Sequence, residues 1–255
     1  MKKLTTALFL GALLVLAGSF TPDKKVTDPL KLYAQINRSQ ALNMISGAEK
    51  SEGWQLLFDG KTSAGWHEYN LKTFSNSWII ENGTFTTTTR GGAESQDIIT
   101  DKTYRNFALS VDFKLMKGTN SGIIFQLKED PKYKFPYETG PEFQIIDQAN
   151  WLDKLENWQV MGANYAMYPP KAFPAKPVGE WNHLMLVVNG NHVTQIINGV
   201  IVAAYDKYSD DWKKLRDSGK WKDFPDWGKF DEGKISLQNH GTQIWFRNIK
   251  LKELN

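Results

Sequence analysis

The chain has 255 residues, enough for one large domain with a well-filled core. Its 31 basic and 28 acidic residues are interspersed and nearly cancel, so neither nucleic acid nor an anionic membrane surface is the expected partner. It contains no cysteine, which excludes disulfides, thiolate metal sites and a cysteine nucleophile; aromatic residues reach 13%, with 10 Trp among them.

Residues 1–20 read as a signal peptide. Lys2 and Lys3 give a positive start, Leu4 to Leu16 an apolar run too short to span a bilayer, and Ala17, Gly18 and Ser19 a small-residue cleavage site. Leu16-Ala17-Gly18-Ser19 is similar to a bacterial lipobox with Ser19 where the lipidated cysteine would stand. The expected location is therefore periplasmic or secreted, soluble after cleavage and with no stable membrane insertion. Residues 21–50 form a polar lead-in segment. Its amphipathic stretch from Asp28 to Met44 carries Leu30, Leu32, Tyr33 and Ile36 and predicts a short helix strapped to the domain edge.

Residues 51–255 read as one β domain. Phe107, Leu109, Val111, Phe113 and Leu115 alternate with Ala108, Ser110, Asp112 and Lys114, the period of a strand with one buried face. Ile123, Phe125 and Leu127 repeat the pattern, as do Leu184, Leu186 and Val188. Asn82-Gly83, Asn189-Gly190 and Asn198-Gly199 signal tight hairpins, because Asn-Gly accepts the positive φ that two-residue turns need. Many short strands between turn signals predict an all-β sandwich or barrel. Residues 148–180 break the rhythm with Pro169, Pro170, Pro174 and Pro177, and read as a long loop lined by Trp151, Trp158, Tyr165 and Tyr168. In 206–230 a short helix is expected near Asp210 to Leu215, followed by irregular chain.

Two strands carry the candidate chemistry. In Glu142-Phe143-Gln144-Ile145-Ile146-Asp147, Phe143 and Ile145 mark the core face, and Glu142 and Gln144 share the other. Asp147 has the opposite parity and joins them only through a bulge or strand end. In Ile235-Ser236-Leu237-Gln238-Asn239-His240-Gly241, Ile235 and Leu237 face the core while Ser236, Gln238 and His240 face away. If both strands lie in one sheet, they make a polar floor rimmed by aromatic loops, which suits a sugar. A solvated outer face explains either strand alone equally well. His240 is the histidine best placed to be a general base or a ligand. His183 and His192 sit near hairpin ends, and His67 follows Trp66 in a loop. No His-Glu-x-x-His, P-loop, Gly-x-Ser-x-Gly or EF-hand pattern occurs.

Several separated motifs add a resemblance. They are Gly53-Trp54-Gln55-Leu56-Leu57-Phe58-Asp59-Gly60-Lys61 with Trp66, Asn120-Ser121-Gly122-Ile123, Glu142-x-Gln144 and Gly179-Glu180-Trp181-Asn182. The closing Gly233-x-Ile235-x-Leu237-Gln238-x-His240-Gly241 and Phe246-Arg247-Asn248-Ile249 are the most specific. Together they resemble the bacterial 3-keto-disaccharide hydrolase family. One departure is Gln126, where members often carry Arg.

The resemblance implies a concanavalin A-like jelly-roll sandwich acting on glycosides whose C3 hydroxyl has been oxidised to a ketone. Such a ketone acidifies the C2 proton, so a base can remove it and expel the C1 substituent, after which water adds. On this reading His240 or Glu142 is the base. Gln144 and Gln238 hold hydroxyls, and Asp147, Gln126, Trp158 and Tyr165 complete the substrate contacts. No nucleotide or organic cofactor is expected; a divalent cation held by Glu142 and His240 is one way to polarise the ketone, but the ligand spacing does not specify it. Arg247 is read as an anchor of the last strand rather than an electrophile. The expected partners are an oligosaccharide or keto-glycoside substrate and a sugar 3-dehydrogenase that makes it.

Two other readings stand beside this one. Glu142-x-Gln144-x-x-Asp147 is similar to the bulged Glu-x-Asp-x-x-Glu strand of laminarinase-type retaining glycosidases, whose chemistry needs carboxyls ~5–5.5 Å apart. A non-catalytic carbohydrate-binding module would show the same sandwich and aromatic loops.

Overall fold

The computed structural model describes residues 28–36, 41–71, 73–88 and 96–255; the signal-peptide reading and residues 37–40 of the amphipathic stretch lie outside them. Among the described residues the α-helices are α1 (Pro29–Gln35), α2 (Gly47–Ser51) and α3 (Asp210–Ser218). The strands are β1 (Trp54–Leu56), β2 (Trp66–Glu68), β3 (Trp78–Glu81), β4 (Thr84–Thr87), β5 (Ile98–Thr100), β6 (Phe107–Leu115), β7 (Asn120–Leu127), β8 (Glu142–Ile146), β9 (Trp181–Asn189), β10 (His192–Ile197), β11 (Val200–Asp206), β12 (Lys234–Leu237) and β13 (Ile244–Glu253).

Among the described residues the strands form two antiparallel sheets, an all-β jelly-roll sandwich. The eight-stranded sheet runs β11-β10-β9-β6-β13-β4-β3, with β1 beside β13; the five-stranded sheet runs β2-β5-β12-β7-β8. The period-two residues fill the space between them. Phe107, Leu109, Val111 and Phe113 meet Ile123, Phe125, Phe143, Ile145, Ile235 and Leu237 in one core, all fully buried.

The hairpin signals resolve into two kinds. Asn82-Gly83 and Asn198-Gly199 occupy the central turn positions with φ of 49° and 73°, and 49° and 85°, as a type I′ turn requires. Between β9 and β10 the paired residues are Asn189 and His192, so Gly190 and Asn191 make the turn and Asn189 belongs to the strand.

The lead-in segment forms a helix shorter than its amphipathic stretch. Asp28 caps α1 by accepting from the Leu30 N–H, Pro29 starts it, and Ile36 turns extended. Asn43 then takes a left-handed conformation (φ 53°) and is tied to Asn248 and Gly83. The five-residue α2 is too short to leave a periodic signal; its capping box of Ser46 and Glu49 holds it. Leu32, Tyr33, Ile36 and Trp54 cover Ala108, Met185, Val187 and Ile196 on the outer face of the eight-stranded sheet. This explains why β6 is buried on both faces near its start. Lys250 donates to Glu49 at 2.6 Å, a fully buried ion pair that pins α2 to β13.

On the outer face of the five-stranded sheet, Ile99, Ile124 and Leu127 form a small buried cluster with Tyr69, against which Tyr137 packs; polar residues occupy the positions beside it. The chain after β11 follows the expected course: α3, capped by Ser209, and then a 3-10 turn over Lys220–Asp223. Residues 148–180 contain no regular strand, as the prolines require.

Candidate active site

Strands β8 and β12 do lie in one sheet, with β7 between them. Register settles which side chains meet. Ser236 pairs with Ile124 and Ile124 with Glu142; Gly122 pairs with Gln144, and the Gln238 N–H donates to the Gly122 carbonyl at 3.0 Å. On the far side Leu237 pairs with Ile98, which brings Asp97, the residue before β5, level with Gln238. Asp97, Gln238, Gly122 and Gln144 therefore form one row across the sheet, with Glu142 and Asn120 adjoining.

These residues floor a cavity of about 470 Å³. Its walls are Lys134 to Tyr137, Tyr165, Lys220, Asn239 and His240. Gly122 makes the floor workable: a Cβ there would run into the Glu142 carboxylate, so only glycine lets that group lie across β7. The Tyr165 wall is built by edge pairing. The loop after residue 158 runs along β8, with Gln144 N–H donating to Ala163 O, Gly162 N–H to Gln144 O, and Tyr165 N–H to Glu142 O, each at 3.0 Å.

Two buried carboxyls share this floor. Burial pushes Glu142 up to about 8 against the pull of the Lys220 ammonium; the nearby Asp97 adds to the rise, and a hydrogen bond from Gln238 opposes it. Burial also pushes Asp97 up to about 7, against hydrogen bonds from the Asn239 N–H (2.8 Å) and the Ser236 hydroxyl (3.3 Å). Through the Asn239 bond, Asp97 anchors the strand end that carries His240. His240 itself stands exposed at the rim.

The floor is short of hydrogen-bond donors. Asn120 Oδ1, Gln144 Oε1 and Gln238 Oε1 are buried and accept nothing from the described residues, although the Gln144 amide nitrogen donates to Gln159 O at 3.0 Å. An unsatisfied buried acceptor costs about 1–3 kcal/mol, so a ligand rich in hydroxyl donors is the natural complement.

The other sequence candidates fall elsewhere. Asp147 does not join the floor: its carboxylate accepts from the Gly118 N–H (2.9 Å) and from Asn150 (3.2 Å), fixing a loop at the end of β8. The opposite parity of Asp147 was the warning, and no bulge reverses it. Gln126 is buried and used up internally, donating to Arg105 O and Asp231 O and accepting from the buried Lys207. Trp158 stands behind the wall, edge-on to Tyr165 at 5.6 Å, and acts as its support. Arg247 lies on the outer face of the other sheet, 3.7 Å above the Trp181 ring and beside Asp112. Its anchoring role agrees with that position.

Much of the lining escaped the sequence reading, Asp97, Tyr137 and Lys220 most consequentially. Asp97 precedes a three-residue strand, Tyr137 sits in a 3-10 turn after Pro136, and Lys220 opens a second 3-10 turn after Gly219. Only their meeting in space marks them. Glu142, Asp97 and His240 all border the cavity, yet among the described residues no three His, Asp or Glu side chains come together as a metal-ligand set. The Glu142 and His240 pair suggested for a cation thus gains no third ligand of that kind.

This carboxyl-bearing, acceptor-rich cavity on one face of the sandwich suits a ligand rich in hydroxyl donors, as a sugar is. The chain belongs to the 3-keto-alpha-glucoside-1,2-lyase-like domain family, whose profile matches residues 53–252. It is 29% identical, over 94% of its length and 91% of the relative's, to a 3-keto-disaccharide hydrolase of Bacteroides thetaiotaomicron. A crystal structure of a candidate glycosyl hydrolase from Parabacteroides distasonis superposes with a TM-score of 0.80 at 40% identity, covering 84% of this chain and all of that one. A second candidate glycosyl hydrolase from the same organism gives 0.59 at 26% identity, covering 79% of this chain and 99% of that one. Among the described residues no helix is long and apolar enough to cross a membrane.

Proposed function

We propose that the protein cleaves 3-keto-glycosides by elimination and hydration, with Glu142 as the base that removes the C2 proton. The observation that carries this reading is the buried carboxyl of Glu142, raised to about 8 in an acceptor-rich cavity. A carboxylate of that basicity suits abstraction of a proton acidified by a neighbouring ketone. Gln144, Gln238 and Asn120 accept the sugar hydroxyls, and the Tyr165 and Tyr137 rings face its C–H surfaces. The C2 proton goes to Glu142 and the C1–O bond breaks; the leaving oxygen takes up a proton, and water then adds H at C2 and OH at C1. The laminarinase-type alternative needs Asp147 beside Glu142, and the use of that carboxylate in its own loop counts against it. The family relationship to a hydrolase counts against a purely binding role.

The substrate must come from an enzyme that oxidises the C3 hydroxyl of a glycoside. Reading residues 1–20 as a signal peptide, we propose that the reaction runs outside the cytoplasm, which cell fractionation tests. The deciding assay compares p-nitrophenyl glucoside with its 3-keto derivative, with and without EDTA. Release from the keto form alone is expected. Release from the plain glucoside would instead indicate a classical glycosidase, and binding without release of either would leave a binding module.

A further inference from the structure

Elimination at a keto sugar needs a second group besides the base. When the C2 proton leaves, negative charge builds on the C3 oxygen, and something must hold it. Three cationic or basic side chains border the cavity: Lys134, His240 and Lys220. Lys134 lies over the Phe135 ring on the rim, and His240 stands exposed with no fixed partner among the described residues. Lys220 differs from both. Its ammonium sits 4.5 Å from the Tyr165 ring centre, 4.9 Å from Trp221 and 5.4 Å from Tyr137, so three aromatic rings hold one cation.

The backbone beneath Lys220 is equally fixed. Trp221 is buried, donates its indole N–H to Tyr165 O at 3.3 Å, and stacks on Trp227 at 4.5 Å and 8°. Trp227 continues the stack through Trp212 to Tyr205. Tyr165, which this indole holds, is also the residue whose N–H donates to the Glu142 carbonyl. The field of the Lys220 ammonium is also the main force opposing the effect of burial on Glu142, and both residues line the same cavity.

We propose that Lys220 is the electrophile of the reaction, its ammonium holding the C3 oxygen as ketone becomes enolate. This rests on the elimination reading above. As the C2–H bond breaks, its proton passes to the Glu142 carboxylate and its electron pair forms C2=C3. The carbonyl π pair moves to the C3 oxygen, beside the Lys220 ammonium. When that pair returns to re-form C3=O, the C2=C3 pair shifts to form C1=C2, the C1–O bond breaks with its pair on the leaving oxygen, and the proton held by Glu142 passes to that oxygen. The rings orient the cation without neutralising it, which a carboxylate partner would do.

The test uses the full-length protein and the 3-keto p-nitrophenyl glucoside. Lys220→Met should lower kcat by about 10²–10³-fold with KM changed far less, because the charge is needed in the transition state more than in the ground state. Lys220→Arg, which keeps the charge, should recover part of that loss. Removing the ammonium should also move the acidic limb of the kcat/KM profile to higher pH, since Glu142 then loses its main cationic neighbour. A third readout is exchange of the C2 proton with deuterated water in a 3-keto sugar that has no leaving group; Lys220→Met should slow it in step with kcat. Wild-type turnover of the keto substrate, with Lys220→Met turning over within about threefold of it, overturns the role of Lys220 alone. No wild-type turnover of the keto substrate overturns the elimination reading itself, and the role of Lys220 with it.

Discussion

Replacing Glu142 by Gln should make the protein inactive and at the same time more stable above neutral pH. The carboxyl is raised from 4.5 to about 8 by burial. Between those values the unfolded chain ionises Glu142 while the folded protein keeps it protonated. The folded state is therefore penalised progressively as pH rises from 4.5, and the penalty levels off above about 8. At ~1.4 kcal/mol per pH unit, the penalty is roughly 3 kcal/mol at about pH 7 and roughly 4–5 kcal/mol at about pH 9. Gln keeps the volume and shape of the side chain but cannot ionise, so it escapes the whole term. For a chain of this length each kcal/mol moves Tm by about 2–4 °C, so the variant should melt roughly 6–12 °C higher at neutral pH. The assay is thermal unfolding of both proteins at steps from about pH 5 to about pH 9, beside turnover of the keto substrate. The two melting curves should nearly coincide at the acid end and separate as pH rises. A difference that is constant with pH, or a variant less stable than wild type at the alkaline end, would refute the buried, high-pKa carboxyl on which the mechanism depends.

The other predictions use the same geometry. Gly122→Ala puts a Cβ against the Glu142 carboxylate, so it should lose most activity and cost about 1–3 kcal/mol in chemical denaturation. Asp97→Asn keeps an acceptor for the Asn239 N–H but removes the charge that raises Glu142; the acidic limb of the kcat/KM profile should then move to lower pH, opposite to Lys220→Met. Gln144→Ala and Gln238→Ala each remove an acceptor from the floor, and steady-state kinetics should show KM raised by about five- to tenfold, a loss of ~1 kcal/mol per neutral hydrogen bond. Lys250→Met leaves the buried Glu49 carboxylate without its cation, though still bonded to Ser46, and should cost about 3–5 kcal/mol, part of it restored in the double variant with Glu49→Leu, as measured by urea unfolding.

What could be read from the sequence divides along physical lines. Alternation in Phe107 to Leu115 and in Phe143 to Ile145 identified the core because a strand has only two faces, and one of them must be apolar. The same parity placed Glu142, Gln144, Gln238 and His240 on the opposite face, and all four border the cavity. Parity also argued against Asp147, and the strand end does not rescue it. It could not tell whether β8 and β12 share a sheet, because pairing is a long-range property; the glycine of β7 that links them looks from the sequence like any other. The prolines make the aromatic loop legible as irregular chain, but which of its rings faces the cavity depends on its edge pairing with β8. That pairing delivers Tyr165 and turns Trp158 away. The N-terminal helix ended early because Ile36 and Asn43 were claimed by contacts with distant strands, which a helical wheel does not see.

The two outer faces of the sandwich show why the site lies where it does. On the eight-stranded sheet the lead-in segment spends its apolar residues and the Glu49 carboxylate on fixing itself down, so that face is closed by buried pairs. On the five-stranded sheet the polar residues of the floor row are only partly satisfied. Asp97 is hydrogen-bonded, but three amide oxygens accept nothing, and Glu142 is held in a place that favours its neutral form. A fold selected for stability alone would fill such a floor with apolar side chains or pair its acceptors. A donor-rich ligand would satisfy Gln144, Gln238 and Asn120, and Glu142 lies beside them poised to exchange a proton, which is why the chemistry is proposed for this face rather than the strapped one.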